Sequence, residues 1–145
     1  LEETDDSDMN LIMETFSMLH EHRVDYTRFF RGISNLHRHG NAPVRDLFAD
    51  RSAADEWLER YEARLKTETR AHDEREYVMR QVNPKYVLRN YLAQQVIMEA
   101  QNGDYAPLKE LLKVIENPFD DQPEFEHYAA LPPDWGKHLN ISCSS

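Results

Sequence analysis

The sequence predicts an all-α fold: a helical bundle containing an αα-hairpin, followed by an extended C-terminal arm rich in proline and aromatic residues. Three observations predict it. Apolar residues recur at three- and four-residue spacing through successive stretches, the period of a helix with one face in a core. No stretch of useful length alternates with the period of a strand. From Asn117 the composition changes, and Pro118, Pro123, Pro132 and Pro133 fall among Phe119, Phe125, Tyr128 and Trp135. Residues 1–116 are therefore expected to form the helical region and 117–145 the arm, mostly extended and docked through its aromatic rings.

Met9, Ile12, Met13, Phe16 and Leu19 mark the apolar side of a first helix over Ser7 to His22, with the preceding acidic run suiting the positive end of its dipole. Asp25 is a plausible N-cap for a second, whose stripe is Tyr26, Phe29, Phe30 and Ile33. Gly40 and Pro43 mark a loop, and Pro43 to Phe48 is at best a short helical turn. Ser52-Ala-Ala-Asp55 reads as a capping box ahead of a third helix carrying Ala54, Trp57, Leu58, Tyr61 and Leu65. The charged stretch Lys66 to Glu76 is polar all round and reads as solvent-bridging, and Val78, Met79 and Val82 resume a short apolar face.

The stretch NPKYVLRNYLAQQVIMEAQN, Asn83 to Asn102, carries the clearest helical signal. Asn83 is expected as N-cap and Pro84 at the first helical position, where its missing N–H costs nothing. Val87, Leu88, Tyr91, Leu92, Gln95, Val96 and Met98 then share one broad side, with Arg89, Asn90, Gln94 and Gln101 on the other. Gly103 stops the helix as a C′ glycine. Asp104 caps the next, in which Leu108, Leu111, Leu112 and Ile115 repeat until Asn117-Pro118. The short link makes these two an antiparallel hairpin.

The 145 residues are one domain's length, and 40% hydrophobic with 30% charged content reads as globular. The net charge of −10 argues against a nucleic-acid or anionic-membrane surface. No apolar run approaches the roughly 20 residues needed to span a bilayer. The opening LEETDDSD is acidic where a signal peptide is basic, and the absence of an initial Met is what a piece of a longer protein would show. One cysteine, Cys143, excludes an internal disulfide framework and fits a reducing compartment.

Chemistry is sparse. Arg89 and Asn90 are adjacent polar residues in a largely apolar segment, and buried polar groups of this kind ordinarily satisfy their neighbours rather than catalyse. Among the seven histidines, His20 with His22 and His37 with His39 are the closest pairs, but residues two apart on a helix point about 200° apart and cannot share an ion. The four glycines form no phosphate-cradling loop, and no nucleophile elbow or kinase-type catalytic loop is present. No catalytic, cofactor-binding or metal-ligating residue is assigned. Cys143, three residues from the end in ISCSS, is either an inert tail thiol or a redox-active one.

NPKYVLRNYLAQQ at 83–95, PPDWGKHL at 132–139 and the terminal SCSS resemble the C-terminal end of the SelO/YdiU family, with weaker matches at VDYTRFFRGIS and VRDLFADRSAADEWLERYEARL. The resemblance implies a helical region of a kinase-like bacterial protein, cytoplasmic, that transfers AMP from ATP to Ser, Thr or Tyr hydroxyls of other proteins with Mg²⁺ or Mn²⁺. It implies that the nucleotide-binding lysine, catalytic aspartate and metal ligands lie in a preceding kinase-like region, which would be this chain's partner. None of those motifs is in the present sequence, so this chain is expected to be structural or regulatory. The resemblance also makes Cys143 the redox candidate, since its position is selenocysteine in animal members. The alternative is a stand-alone all-α module that binds a protein through its aromatic arm.

Overall fold

The computed structural model describes residues 6–136. Among them every regular element is helical, and the chain divides into two compact units, the first ending at Asn83 and the second beginning at Pro84. The predicted all-α class is the observed one.

The first unit holds α1 (Asp6–Glu21), α2 (Tyr26–Ser34), α3 (Leu36–His39), α4 (Ala42–Arg45), α5 (Arg51–Leu65) and α6 (His72–Val82). Its core gathers Leu19, Val24, Phe29, Ile33, Val44, Phe48, Ala54, Trp57, Leu58 and Tyr61. Phe29 sits edge-on to Trp57 at 5.1 Å, and Trp57 stacks on Tyr61 at 4.9 Å, so one aromatic column joins α2 to α5. Gly32 lets α4 approach α2 closely, because a Cβ there would lie 2.9 Å from Val44 Cγ2.

Caps are set by short polar side chains. Asp25 Oδ1 accepts from the Arg28 N–H at 2.9 Å, as expected for α2. For α5 the cap is Asp50, not Ser52: Asp50 Oδ1 accepts from both the N–H and the hydroxyl of Ser52. Asp50 takes the role because its backbone is extended while Ser52 is already helical. The C-terminus of α6 is closed by a buried arginine: Arg31 Nη1 donates to the carbonyls of Arg80 and Asn83 at 3.3 and 3.2 Å. A cation there complements the negative end of the helix dipole.

The inward side of α1 differs from the expected one. Leu19 is buried, but Met9, Met13 and Phe16 are exposed, while Asp8 and Thr15 are buried. The reason is pairing. Asp8 receives a bidentate fork from Arg64, Nε to Oδ1 at 2.7 Å and Nη2 to Oδ2 at 2.9 Å. Trp57 Nε1 donates to the Thr15 hydroxyl at 2.9 Å, and that hydroxyl donates to the Leu11 carbonyl at 2.7 Å. Two polar side chains with partners on α5 outcompete an apolar stripe for the inward position.

The second unit holds α7 (Asn90–Gln101), α8 (Ala106–Glu116) and two 3₁₀ segments, Pro123–Ala129 and Asp134–Gly136. Tyr86, Tyr91, Leu92, Val96, Leu111, Val114 and Tyr128 form its core. The expected hairpin is present, with Gly103 at φ +90° ending α7 and Asp104 Oδ1 accepting from the Ala106 N–H at 2.9 Å. The start of α7 is a correction. Asn83 closes α6 as its C-cap instead of opening a helix, and α7 begins at Asn90. The intervening residues are held open because the Pro118 carbonyl accepts from both Lys85 N–H (2.7 Å) and Tyr86 N–H (3.1 Å). Leu88 is consequently exposed, as is Leu112, whose place on the inner side of α8 is taken by Val114.

The stretch after Asn117, expected to be extended, is shortened by its two 3₁₀ segments and tied down along its length. Tyr86, 2% exposed, donates its hydroxyl to the Gln122 carbonyl at 2.8 Å. Gln122 Nε2 in turn donates to the carbonyls of Val114 and Asn117, satisfying the C-terminus of α8. Tyr128 donates to Glu110 at 2.8 Å. At the end of the described chain Trp135 lies edge-on to Tyr91, ring centres 6.1 Å apart, with Gly136 buried beside it.

Candidate functional site

A cavity of about 440 Å³ opens in the first unit between α2, α3, α5 and α6. Its apolar wall is Ile33, Leu36, Leu65 and Met79. Its polar wall is the stretch 66–76 that the sequence marked as solvent-bridging, and this is a correction: Glu68, Arg75 and Glu76 are largely removed from solvent. Glu68 is inward because the link between α5, which ends at Leu65, and α6, which begins at His72, folds it back over the bundle, and Arg75 and Glu76 lie on the inner side of α6.

Each buried charge in the lining has a partner. Arg75 Nε donates to Glu68 Oε2 at 2.9 Å, and its Nη1 lies 3.1 Å from His72 Nδ1. A guanidinium only donates, so His72 Nδ1 accepts and the imidazole proton in this arrangement sits on Nε2. Glu76 is flanked by Arg38 Nη2 at 2.8 Å and Arg80 Nη1 at 3.5 Å. Asn41 donates to Glu62 at 2.8 Å across the mouth. His37 stacks on His72, ring planes 8° apart and centres 4.7 Å apart, with its Nε2 3.8 Å from Asp73. Beneath the cavity Tyr61 places its hydroxyl 3.8 Å from Met79 Sδ, and burial pushes its pKa up to about 12. These are cross-braces between helices. Glu68 and Glu76 are engaged by arginines.

Of the residues singled out in the sequence, His20 lies in the last turn of α1, exposed, and His22 packs edge-on to Phe48 at 5.7 Å. His37 and His39 are both on α3, but His37 meets His72 and not His39. Among the described residues no group of three or more His, Cys, Asp or Glu side chains is arranged to hold a metal ion. Arg89 precedes α7 in an extended conformation and Asn90 is its first residue, exposed. Cys143 lies outside the described residues. The Glu68–Arg75–His72 cluster was missed in the sequence. Its only signal was the four-residue spacing of Arg64 with Glu68 and of Glu76 with Arg80, which ordinarily marks exposed helix pairs.

No helix among the described residues is long and apolar enough to cross a membrane. A family model described as protein adenylyltransferase SelO matches residues 1–116. A protein nucleotidyltransferase YdiU of Yersinia pseudotuberculosis serotype O:1b (strain IP 31758) is 49% identical over 144 residues, 99% of this chain and 30% of that protein. Its counterpart in Aliivibrio salmonicida (strain LFI1238) is 50% identical over 140 residues, 97% of this chain and 29% of that protein. One in Vibrio parahaemolyticus serotype O3:K6 is 47% identical over 144 residues, 95% of this chain and 29% of that protein. The chain thus spans about three tenths of the curated relatives it matches. It belongs to the protein adenylyltransferase SelO family.

Proposed function

We propose that this chain is the helical C-terminal region of a kinase-like protein nucleotidyltransferase that transfers AMP from ATP to hydroxyl side chains of other proteins, and that it serves that enzyme structurally. The observation that carries the reading is the 49% identity over 99% of this chain to a nucleotidyltransferase of which it makes up 30%. ATP and Mg²⁺ or Mn²⁺ would be held by the remaining part of such a protein, which would be this chain's partner. The site described above supports this division of labour, since its buried charges brace helices against one another and none is presented to a phosphate. Calorimetric titration of the chain with ATP and Mg²⁺ tests the structural role. No heat of binding is expected, and a saturable one-to-one isotherm would contradict it.

Cys143 would act as a reversible thiol toward a cysteine outside this chain, being the single cysteine of its own sequence. In a family-length protein, Cys143→Ser should then change the dependence of AMP transfer on oxidising and reducing buffer. Identical dependence in the two proteins would leave Cys143 without a redox role.

A further inference from the structure

The first helix turns Leu19, with the partly buried Leu11 and Met18, to the core beside two polar groups, and carries a second apolar stripe outward. Asp8 and Thr15, both buried, point to Arg64 and Trp57 of α5, and Glu14 pairs with Arg60 of the same helix. This leaves Met9, Met13 and Phe16, spaced four and three apart on another side of α1, at 53%, 61% and 46% exposure. The stripe continues onto α2, where Tyr26 is 44% exposed with its ring 6.2 Å from that of Phe16. A surface helix normally carries apolar residues on its core side alone and polar residues on the other. When the inner contacts are specified by ion pairs and hydrogen bonds, a continuous apolar outer stripe marks a helix packed between two bodies.

We infer that the Met9–Met13–Phe16–Tyr26 stripe is the surface on which the rest of a family-length protein docks. The inference rests on the reading above and names the face through which the two parts meet. Two features identify the occupant. The chain accounts for only 30% of the length of a relative that it matches over 99% of its own, so in that relative a much larger body shares the polypeptide. The stripe residues carry no charge, and the nearby acidic groups Asp8 and Glu14 are engaged by Arg64 and Arg60, which leaves an apolar patch without the basic residues an anionic lipid surface requires.

Site-resolved thiol labelling in the family-length protein tests this. Met13→Cys and Phe16→Cys are made there, with Glu59→Cys, on the exposed side of α5, as the accessible control. Each site's modification by a soluble maleimide is followed by peptide mass spectrometry, so other cysteines do not interfere. A thermal melt confirms that each variant is folded, and Met9→Cys serves as a second probe of the same stripe. The expected result is labelling at positions 13 and 16 at least about tenfold slower than at position 59, unchanged on dilution of the monomer, as for residues in a packed interface. Labelling as fast as at position 59 would overturn the inference. So would protection that disappears on dilution, which would assign the stripe to a second copy, or protection that appears only with added vesicles. AMP transfer by the same protein is assayed separately. Loss of transfer with protection intact would count against the functional reading and leave the docking face standing.

Discussion

A Cβ placed on Gly136 would lie 2.7 Å from the Cβ of Tyr91 and 3.2 Å from its ring. This contact joins two sequence motifs separated by some forty positions, NPKYVLRNYLAQQ and PPDWGKHL, and gives each a reason for its composition. Tyr91 and Trp135 set their rings nearly perpendicular, and only a glycine after that tryptophan lets the chain pass so close to α7. The obstructing atom is fixed to the backbone of α7, so it cannot swing aside as a side-chain tip would.

Gly136→Ala should therefore loosen the last described segment from α7. Overpacking of this kind costs about 1–3 kcal/mol. Urea melts followed by tryptophan fluorescence would register the loss and a shift of the Trp135 environment. Unchanged stability would mean that the chain can pass Tyr91 by another route.

Leu92 and Leu112 separate the buried and exposed sides of the helical hairpin. Leu92 is 4% exposed and Leu112 is 47% exposed. Leu92→Ala should cost about 2–5 kcal/mol, through lost transfer energy and the cavity left behind. Leu112→Ala should stay within about 1 kcal/mol, since nearly half of its surface stays in water and no closed cavity is left behind. Equal losses in denaturant melts would contradict the assigned register of α8.

Tyr61 gives a pH signature. Burial raises its pKa from 10.0 to about 12. Between those values the folded state holds a proton that the unfolded state has released, so stability falls as pH rises. The contribution is complete below pH 10 and lost as pH passes the folded value near 12. Stability measured across this window should decline less steeply in Tyr61→Phe than in the parent chain. Parallel declines would place the alkaline sensitivity elsewhere, with Tyr128 of the second unit, also raised to about 12, the next candidate.

The sequence was most informative where one residue's local chemistry decides the outcome. Asp25 caps α2, Gly103 ends α7 and Ala54, Trp57, Leu58 and Tyr61 form one buried stripe, each by short-range rules. It was least informative where distant partners compete. Pro84 fits a first helical turn well, yet the Pro118 carbonyl captures the two N–H groups that follow it. Met9, Met13 and Phe16 have the periodicity of a core face, but Arg64 and Trp57 draw Asp8 and Thr15 inward instead. The cavity was hidden for the same reason. Glu68 and Arg75 look like solvated charges until α6 folds back and brings them to 2.9 Å. A periodicity argument counts hydrophobicity along one helix, and it cannot count the partners waiting on another.

On the proposed function, this chain supports AMP transfer without performing it. The most direct measurement is transfer of labelled AMP from ATP to protein substrates, run in parallel with the family-length protein and with this chain alone. Label is expected on protein hydroxyls with the family-length protein and none with the chain. Transfer by the chain alone, or no transfer by the family-length protein in the presence of Mg²⁺ or Mn²⁺, would contradict it.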